Sequence, residues 1–334
     1  MTARAQVWEG GNHFREVEIP LPEPAEGELI VAMRAATICG SDRHTVSGRR
    51  GGACPSVLGH EGVGVVVESR RPGIIPGQRV VFSVTSSCGT CPTCRRGLTA
   101  KCGDVRKAGH ESYDGPWPLS GTYATHLHVL AGQAVEPVPD HIPDAVASTA
   151  GCAVATVMAV LERAGDMRGR TVLVTGAGML GTIALAAARD RGAARITVSD
   201  PDPLSRATVA HLADEVVEPG GTHLVDVALE FSGASPAVAE CLSSLDIGGT
   251  AVLAGTVAPV PGVQLDPEWM VRGWRTVTGV HNFEPRHLAE AVAFLGSAGD
   301  QLPWENILDG PVTLADLAQA FAEPSPAARV VVTF

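Results

Sequence analysis

The sequence has few aromatic residues and no excess of positive charge. Phe, Trp and Tyr together make up only 4% of its 334 residues, and 25 Lys and Arg stand against 36 Asp and Glu, giving a net charge of −11. This acidic balance argues against nucleic acid or an anionic membrane surface as a partner, but it leaves room for a local basic pocket. The few aromatics argue against a large aryl-lined substrate pocket.

Long apolar runs are also lacking. The first residues contain no apolar signal segment, no run of 18 or more apolar residues occurs, and the alanine-rich stretch 182–188 is too short to span a bilayer. These absences predict a cytoplasmic protein, in a reducing compartment and without a membrane partner. Apolar residues are nevertheless 45% of the chain, with 38 Gly and 24 Pro, which predicts well-filled cores and many tight turns. The length fits roughly two domains.

Four closely spaced cysteines are the strongest local signal. Cys88, Cys91, Cys94 and Cys102 follow the pattern C-x2-C-x2-C-x7-C on a loop that also contains Gly and Pro. Four thiolates this close can bind one tetrahedral Zn²⁺, as in closed structural zinc sites. Two disulfides are the alternative, which a reducing compartment disfavours. The pattern therefore predicts a structural zinc lobe over residues 86–104.

The chain changes character near residue 150. Before it, short apolar runs between Gly and Pro turns predict a β-rich region that ends at a Pro-rich connector, 136–143. After it, strands alternate with helices, which predicts a parallel sheet with crossover helices. One crossover, between strands expected at 215–217 and 225–230, has only about seven residues and is predicted to have lost its helix. The other expected strands are 29–33, 62–67, 79–82, 171–174, 195–198, 250–254, 277–279 and 328–334, and the expected helices are 155–164, 179–191, 236–243 and 286–297.

A glycine motif follows the strand at 171–174 and opens a helix. The motif G-A-G-M-L-G includes Gly176, Gly178, Met179, Leu180 and Gly181. Its glycines permit a tight turn, the close approach of a pyrophosphate and packing of the helix on the strand. Asp200 ends the next strand, where a carboxylate binds ribose hydroxyls and repels a 2′-phosphate. The motif predicts a Rossmann site for NAD rather than NADP, with a strand–turn–helix that binds no ligand as the alternative.

A second set of metal-binding residue types is spread along the chain. Cys39 begins C-G-S-D-R-H, His60 lies in G-H-E, and Cys152 stands at the junction of the two regions. Two thiolates and one imidazole are the ligand set of a catalytic zinc whose fourth position is open. The two remaining cysteines, Cys54 and Cys241, are expected to be small core or surface residues.

Together these motifs resemble those of the zinc-dependent medium-chain dehydrogenases/reductases, the alcohol and polyol dehydrogenase family, in the same order over the whole length. The resemblance implies a β-rich GroES-like catalytic domain at 1–150 and 281–334 and a Rossmann NAD-binding domain at 151–280. It also implies two zinc ions per chain, NAD, a small alcohol or carbonyl substrate, and a homodimer or homotetramer. Segments 107–111, 117–124 and 279–288 are further similar to a bacterial branch of alcohol dehydrogenases associated with phosphonate metabolism.

The resemblance also implies roles for the metal-site residues. Cys39, His60 and Cys152 match the family's catalytic zinc ligands, and Glu61 matches a glutamate that binds zinc transiently during ligand exchange. Asp42 corresponds to a carboxylate that orients the ligand histidine. Glu61 as a buried acid paired with an arginine is the alternative.

A proton relay is implied beside the metal. Ser41 matches a hydroxyl that hydrogen-bonds the substrate oxygen, and His44 matches the histidine at the solvent end of the relay, which suits its ordinary pKa. At Gly40 the sequence departs from members that carry a basic residue in contact with the cofactor. The alternatives are a surface role for His44 and a helix-capping role for Ser41 or Asp42.

The implied activity is hydride transfer between NAD and a small polar or secondary alcohol, a polyol or hydroxyalkyl phosphonate among them. Carbonyl reduction is an alternative direction. A non-catalytic zinc-binding relic of the fold and a zinc-independent quinone reductase are disfavoured because both ligand sets are present. Residues expected near the substrate are Trp117, His281, Asn282, Glu284 and Arg286, with Arg286 or Arg43 as a site for an anionic group. His110, His126 and His128 are expected to be structural.

Overall fold

The computed structural model describes residues 1–323 and 325–334. Most expected strands are present and extend by a few residues beyond the apolar runs that predicted them. The strands are β1 (Thr2–Trp8), β2 (Phe14–Pro20), β3 (Leu29–Ile38), β4 (Ser56–Val57), β5 (Gly62–Ser69), β6 (Arg79–Ser86), β7 (Arg106–Lys107), β8 (His126–Val129), β9 (Gln133–Pro137), β10 (Thr171–Thr175), β11 (Arg195–Ser199), β12 (Glu215–Val217), β13 (Val225–Glu230), β14 (Leu245–Leu253), β15 (Thr276–Gly279), β16 (Leu308–Thr313) and β17 (Arg329–Thr333).

The helices lie mainly in the second half of the chain. They are α1 (Gly40–Val46), α2 (Pro92–Arg95), α3 (Asp144–Ala147), α4 (Ala155–Ala164), α5 (Met179–Asp190), α6 (Pro203–Val209), α7 (Ser235–Ser243), α8 (Pro267–Arg272), α9 (Pro285–Ser297), α10 (Trp304–Ile307) and α11 (Leu317–Ala322). A π-helical turn, Ala150–Val154, joins the helical segment after α3 to α4, and short 3₁₀ turns cover Thr99–Lys101, Gly299–Gln301 and Leu314–Asp316.

The β-rich unit consists of Met1–Ala155, Glu284–Gly296 and Trp304–Phe334. Its main sheet has the order β16-β17-β3-β5-β6-β7, with β8 on β3 and β9 on β6, and a smaller sheet has the order β2-β1-β4. Apolar side chains from β3, β5, β6 and β8 fill one of its cores. The last strand, β17, pairs antiparallel with β3, so the end of the described chain is built into the unit that holds its beginning.

The α/β unit consists of Thr156–Phe283 and Ser297–Pro303. Its sheet is parallel, in the order β12-β11-β10-β13-β14-β15, and the reversal of order between β10 and β13 defines a doubly wound Rossmann sheet. The predicted fold class is therefore confirmed. The division falls a few residues from the predicted boundaries at 150 and 281, and the segment 297–303 belongs to the α/β unit.

The shortened crossover between β12 and β13 is present as predicted. Residues 218–224 contain no helix, although they connect parallel strands that have β11 and β10 between them. An extended segment of this length reaches about 23 Å, which is more than the roughly 14 Å across three strand spacings. The connection therefore needs no helix to span the sheet.

Within the part of the chain that the structure describes, one helix has the length and composition of a membrane span. Asp144–Ala164 is a 21-residue helical segment with a mean hydropathy of 1.6, in which polar residues interrupt the apolar ones, so it is not a continuous apolar run. The share of its apolar window buried within the fold is 78%, as in a core helix. Its apolar character is thus explained by packing inside the protein.

Candidate active site

The four cysteines of the predicted lobe converge as a metal site requires. The Sγ atoms of Cys88 and Cys102 are 3.4 Å apart, and Cys91 Sγ is 3.5 Å from Cys94 Sγ and 3.9 Å from Cys102 Sγ. Four sulfurs about 2.3 Å from one Zn²⁺ would be about 3.8 Å apart. These separations are too long for the S–S bonds of the two-disulfide alternative. The four thiols therefore fit one structural zinc ion.

Backbone N–H groups of the lobe point at its sulfur atoms and favour their thiolate form. The Cys88 N–H points to Cys102 Sγ at 3.4 Å, and the Cys91 N–H points to Cys88 Sγ at the same distance. The backbone N–H of Cys94 lowers the pKa of Cys91 to about 6. Amide donors of this kind favour the thiolate, the form that binds zinc.

Glu284, expected near the substrate, instead holds the lobe. Its carboxylate accepts the backbone N–H of Thr99 at 2.9 Å and that of Ala100 at 3.1 Å, and it also accepts the Thr99 hydroxyl. These bonds satisfy the first amides of the 3₁₀ turn that leads to Cys102. The expectation was wrong because sequence position alone does not reveal a contact across 185 residues.

The second metal-binding set also comes together, entirely within the β-rich unit. One ligand atom from each of Cys39, His60 and Cys152 lies within 4.8 Å of the others. Cys39 directly precedes α1, His60 precedes β5, and Cys152 lies on the π-helical turn. A Cβ on Gly151 would lie 2.4 Å from the Phe82 carbonyl oxygen, so glycine lets this turn pack against β6 and bring Cys152 to the cluster.

The chemistry of these donors fits a zinc ion with an open position. In the residues described, only these three residues form the group, so no fourth protein ligand closes it. A hydrogen bond from the Cys152 thiol lowers the pKa of Cys39 well below its usual value, and the same bond raises the pKa of Cys152. Cys39 is therefore the first to provide a thiolate, and a bound cation would favour the thiolate at both positions.

Asp42 lies behind the ligand histidine, where the resemblance placed it. Its Oδ2 accepts the Cys39 backbone N–H at 3.0 Å and the Tyr123 hydroxyl at 2.9 Å. Its Oδ1 lies 3.3 Å from His60 Nδ1, without the alignment of a hydrogen bond. Because Asp42 is the third residue of α1 and accepts the N–H of Cys39, it both caps the helix and faces the imidazole.

Ser41 and His44 lie on α1, three residues apart and so on the same side of the helix. Ser41 Oγ is 3.3 Å from His60 Nε2, which places the hydroxyl beside the ligand cluster. His44 Nδ1 is buried without a hydrogen-bond partner among the described residues. Burial lowers the pKa of His44, so its ring is neutral near pH 7 and able to accept a proton.

In this structure the Glu61 carboxylate is bound by an arginine and a threonine hydroxyl and is not part of the three-ligand cluster. Its carboxylate accepts from Arg329 Nε at 2.7 Å and from Arg329 Nη2 at 3.2 Å, and the Thr37 hydroxyl donates to it at 2.6 Å. Glu61 and Arg329 form a fully buried ion pair, the alternative considered for this residue. Zinc binding by Glu61 would require breaking that pair, because leaving a buried guanidinium unpaired is costly.

The glycine motif forms the expected turn in the α/β unit, between β10 and α5. A Cβ on Gly181 would lie 1.7 Å from the Gly176 carbonyl oxygen, so only glycine lets α5 approach the turn. A Cβ on Gly178 would meet no protein atom within 4 Å. Gly178 thus borders open space at the first turn of a 12-residue helix, where a pyrophosphate is stabilised by free amides.

Asp200 lies at the carboxyl end of β11, next to that turn. Its Oδ2 accepts the Ala177 N–H at 2.7 Å, and its Oδ1 accepts the Asp202 N–H at 2.8 Å. Arg206 was not among the residues predicted from the sequence. It donates to the Asp200 carbonyl at 2.7 Å and pairs with Glu218 at 2.9 Å. The charge of Arg206 is thus balanced locally, and the residues around the turn fit NAD.

Other residues expected at the substrate site have different surroundings. Trp117 is 1% exposed and donates its indole N–H to the His128 carbonyl, so it is a core residue. Arg43 donates to the Ala320 carbonyl at 3.3 Å and lies over the Phe321 ring. His128 pairs with Glu28 at 2.8 Å, a structural role. Asn282 has a left-handed backbone, with φ 61°, and a buried amide nitrogen without a partner among the described residues.

Comparison with known proteins finds relatives for both units of the chain. Residues 25–140 match the alcohol dehydrogenase GroES-like domain, and residues 180–297 match the zinc-binding dehydrogenase family. The chain is 30% identical to L-threonine 3-dehydrogenase of Deinococcus deserti over 84% of its length and 82% of the relative's. It is 27% identical to D-altritol 5-dehydrogenase of Agrobacterium fabrum over 95% of both. An alcohol dehydrogenase structure from Thermotoga maritima superposes with a TM-score of 0.91 at 25% identity, covering 100% of this chain and 99% of that one.

Proposed function

The chain belongs to the zinc-dependent medium-chain dehydrogenase/reductase family, and from this premise we propose that it oxidises a small polar or secondary alcohol with NAD as the hydride acceptor. It is a zinc-dependent alcohol oxidoreductase. The observation that carries the proposal is the convergence of Cys39, His60 and Cys152, with no fourth protein ligand among residues 1–323 and 325–334. A zinc ion held there acts as a Lewis acid toward an alcohol or carbonyl oxygen.

Asp42 positions the ligand histidine for this task. Its carboxylate is fixed by the Cys39 N–H and the Tyr123 hydroxyl, so the oxygen that faces His60 Nδ1 is held in place. A carboxylate on this side favours a proton on Nδ1 and leaves Nε2 free to bind a metal ion. Because the side chains of Asp42, His60 and Tyr123 are buried, water does not compete for these contacts.

Ser41 and His44 provide the path for the proton. Alcohol oxidation releases the hydroxyl proton as the carbon gives a hydride to NAD⁺, leaving a carbonyl. The Ser41 hydroxyl, beside His60 Nε2, accepts that proton and passes its own onward. His44 receives it at a ring nitrogen, because burial keeps the ring neutral, and releases it to water. Carbonyl reduction uses the same groups in the reverse order.

NAD is the proposed cofactor rather than NADP. The Asp200 carboxylate, at the end of the strand after the glycine turn, would accept hydrogen bonds from the adenosine ribose and repel a 2′-phosphate. The guanidinium of Arg206 is engaged by a carbonyl and by Glu218, which supports this preference. The proposed substrates are polyols or hydroxyalkyl phosphonates.

A substrate panel tests the proposal directly. Purified zinc-loaded protein is incubated with polyols, hydroxyalkyl phosphonates and simple secondary alcohols, each with NAD or NADP, and reduced cofactor is followed by absorbance. We expect turnover with NAD on at least one class, and two zinc ions per chain. One zinc ion per chain with no turnover would instead identify a zinc-binding relic of the fold.

A further inference from the structure

We propose that a cavity on the β-rich unit, lined by Arg43 and Arg49, binds a small organic phosphate. The cavity has a volume of about 400 Å³ and lies where three segments meet: the end of α1 with the residues after it, the turn between β1 and β2, and α11. The sequence-based expectation placed Arg43 beside the alcohol substrate. The inference goes beyond the proposed function and does not depend on it.

The cavity and the metal cluster use different sides of α1. Ser41 and His44 lie on the side of the ligand cluster, whereas Arg43 and Val46, also three residues apart, line the cavity. Because successive residues of a helix are about 100° apart, Arg43 points roughly 200° away from Ser41 around the helix axis. No zinc ligand and no residue of the glycine turn lines the cavity within the described chain. The cavity is therefore separate from the groups that act on the alcohol.

The Arg43 guanidinium is held in place and still has donors to spare. Its Nη2 donates to the Ala320 carbonyl at 3.3 Å, and its central carbon lies 5.9 Å from the centroid of the Phe321 ring. That ring is stacked on Phe14, with the centroids 5.1 Å apart. Among residues 1–323 and 325–334 the guanidinium makes no second hydrogen bond, so most of its N–H groups remain for a ligand. A side chain fixed before binding loses little conformational freedom when the ligand arrives.

A turn after α1 brings Arg49 to the same cavity. Gly48 has φ 74°, and its N–H donates to the Thr45 carbonyl at 3.0 Å, which ends the helix. Arg49 Nε donates to the Ser47 hydroxyl at 3.4 Å, and that hydroxyl donates to the His44 carbonyl at 3.3 Å. In the part of the chain that the structure describes, the two terminal nitrogens of Arg49 make no hydrogen bond. Both guanidinium groups therefore offer N–H donors at one cavity.

No acidic residue of the described chain lines the cavity. Carboxylates on the neighbouring segments are bonded elsewhere, since Glu9 pairs with Arg15 at 2.7 Å and Glu323 accepts from Gln319 at 2.9 Å. The two cavity arginines form no ion pair within residues 1–323 and 325–334. In a chain with a net charge of −11, two guanidinium groups without a carboxylate create a local positive potential that attracts an anion.

The lining favours an organic phosphate over a bare ion. Guanidinium groups bind phosphate oxygens in pairs, and a phosphate monoester has up to two negative charges for the two arginines. Val46 and Phe321 are buried and supply apolar surface, whereas Asn12 and Ser47 are exposed polar residues. The volume falls within the range of about 300–1,000 Å³ that is typical of small-molecule sites. We therefore expect the phosphate at the arginines and the organic group against Val46 and Phe321.

Calorimetry on the zinc-loaded full-length protein tests the site without turnover. The probes are phenyl phosphate, inorganic phosphate, benzoate and the neutral control benzamide. Phenyl phosphate should bind most tightly, and inorganic phosphate and benzoate about tenfold more weakly, because one lacks the apolar group and the other lacks the second charge. Benzamide should not bind, because it has no charge for the arginines.

Variants of the two arginines assign the binding to the cavity. Arg49→Gln and Arg43→Gln should each weaken phenyl phosphate binding about tenfold, because each removes a charged hydrogen-bond donor. Arg43→Lys should retain part of the affinity. Arg4→Gln, at an exposed arginine of the same unit outside the cavity, is the matched control and should stay within about twofold. Circular dichroism confirms that each variant is folded.

Three results would overturn the proposal. The first is equal affinity of phenyl phosphate for Arg49→Gln and the unaltered protein, a comparison that the exposed position of Arg49 keeps free of effects on folding. The second is the absence of phenyl phosphate binding to the unaltered protein. The third is equal affinity for phenyl phosphate and inorganic phosphate, which would show that the organic group makes no contact.

Cys152→Ser separates the cavity from the open position of the metal cluster. This variant should lack the ion of the three-ligand cluster and still bind phenyl phosphate with unchanged affinity, because the cavity lies on another side of α1. Loss of binding in Cys152→Ser would place the anion on zinc and refute the cavity site. Failure to oxidise any alcohol would count against the proposed function and would leave this site unaffected.

Discussion

Oδ1 of Asp42 lies 3.3 Å from Nδ1 of His60, and both side chains are almost completely buried. The carboxylate that faces the ring is also bound by the N–H of Cys39, a residue of the same metal cluster. One side chain therefore links two of the three metal ligands. Its contribution to zinc binding can be separated from its contribution to folding.

Asp42→Asn should weaken zinc binding at the three-ligand cluster about 10- to 100-fold, the usual cost of losing a residue that supports a metal ligand. The amide oxygen can still accept from Cys39 and Tyr123, but the NH₂ group would then face the Nδ1 proton of His60, donor against donor. Competition with a chromogenic chelator measures the affinity. Tyr123→Phe, which removes the hydroxyl that donates to Asp42 at 2.9 Å and lies 3.4 Å from the Thr37 carbonyl oxygen, should have the smaller effect. Equal zinc affinity in Asp42→Asn and unaltered protein would contradict this role.

Each metal site should lose its ion independently. Cys152→Ser should abolish turnover and leave about one zinc ion per chain, because the distant four-cysteine lobe stays intact. Cys88→Ser should remove the other ion and destabilise the lobe. Cys54→Ser, at an exposed cysteine outside both groups, is the matched control and should keep two ions. Elemental analysis of the purified variants gives the count, and two ions in Cys152→Ser would exclude it as a ligand.

The two glycines of the cofactor turn should respond differently to alanine. Gly181→Ala places a methyl group 1.7 Å from the Gly176 carbonyl oxygen and should lower the free energy of unfolding by about 2 kcal/mol or more. Gly178→Ala meets open space and should leave the fold nearly unchanged, but should weaken NAD binding where the pyrophosphate approaches. Thermal unfolding with and without NAD separates the two effects. Similar unfolding temperatures for both variants would count against the turn as described.

Asp200→Asn should shift the preference between cofactors. The amide can still accept the Ala177 N–H but no longer repels a 2′-phosphate, so the NAD-to-NADP ratio of kcat/KM should fall about tenfold or more. Asp202→Asn, at the exposed N-cap of α6, provides the control. An unchanged ratio in Asp200→Asn would show that the ribose binds elsewhere.

Thiol reactivity should separate the two cysteines outside the metal sites. Burial raises the pKa of Cys241 to about 12, so its thiol stays protonated at about pH 8 and would ionise only above its raised pKa. Cys54 is exposed. Iodoacetamide should therefore modify Cys54 and spare Cys241 in the native zinc-loaded protein, as read by peptide mass spectrometry. Denaturant should make both reactive, and rapid native labelling of Cys241 would contradict its burial.

Much of the α/β unit was predictable because its signals are local, although α6, α8 and the first half of β14 were not expected. The strand expected at 225–230 is β13, and the helix expected at 155–164 is α4, since apolar periodicity and Gly or Pro boundaries lie within each segment. The same local reasoning found the crossover without a helix. It failed for Trp117, because an aromatic residue in a polar loop carries no local sign that it packs in a core.

Local patterns of this kind could not predict contacts between segments that are distant in the sequence. Cysteine spacing identified the lobe, and residue type suggested Cys39, His60 and Cys152, but nothing local assigned Arg329 to Glu61 or Glu284 to the amides before Cys102. Such pairings follow from sheet topology, which a single sequence specifies only through the complete fold.

The buried pair of Glu61 and Arg329 joins positions 268 residues apart. Arg329 begins β17, which pairs with the strand that leads to Cys39, so the wall behind the three-ligand cluster contains a segment that is synthesised well after the ligands themselves. The four-cysteine lobe, by contrast, is encoded in one short stretch. Metal loading during synthesis should thus proceed in two stages: the lobe binds its ion on the nascent chain, and the reactive centre matures only after β17 has emerged.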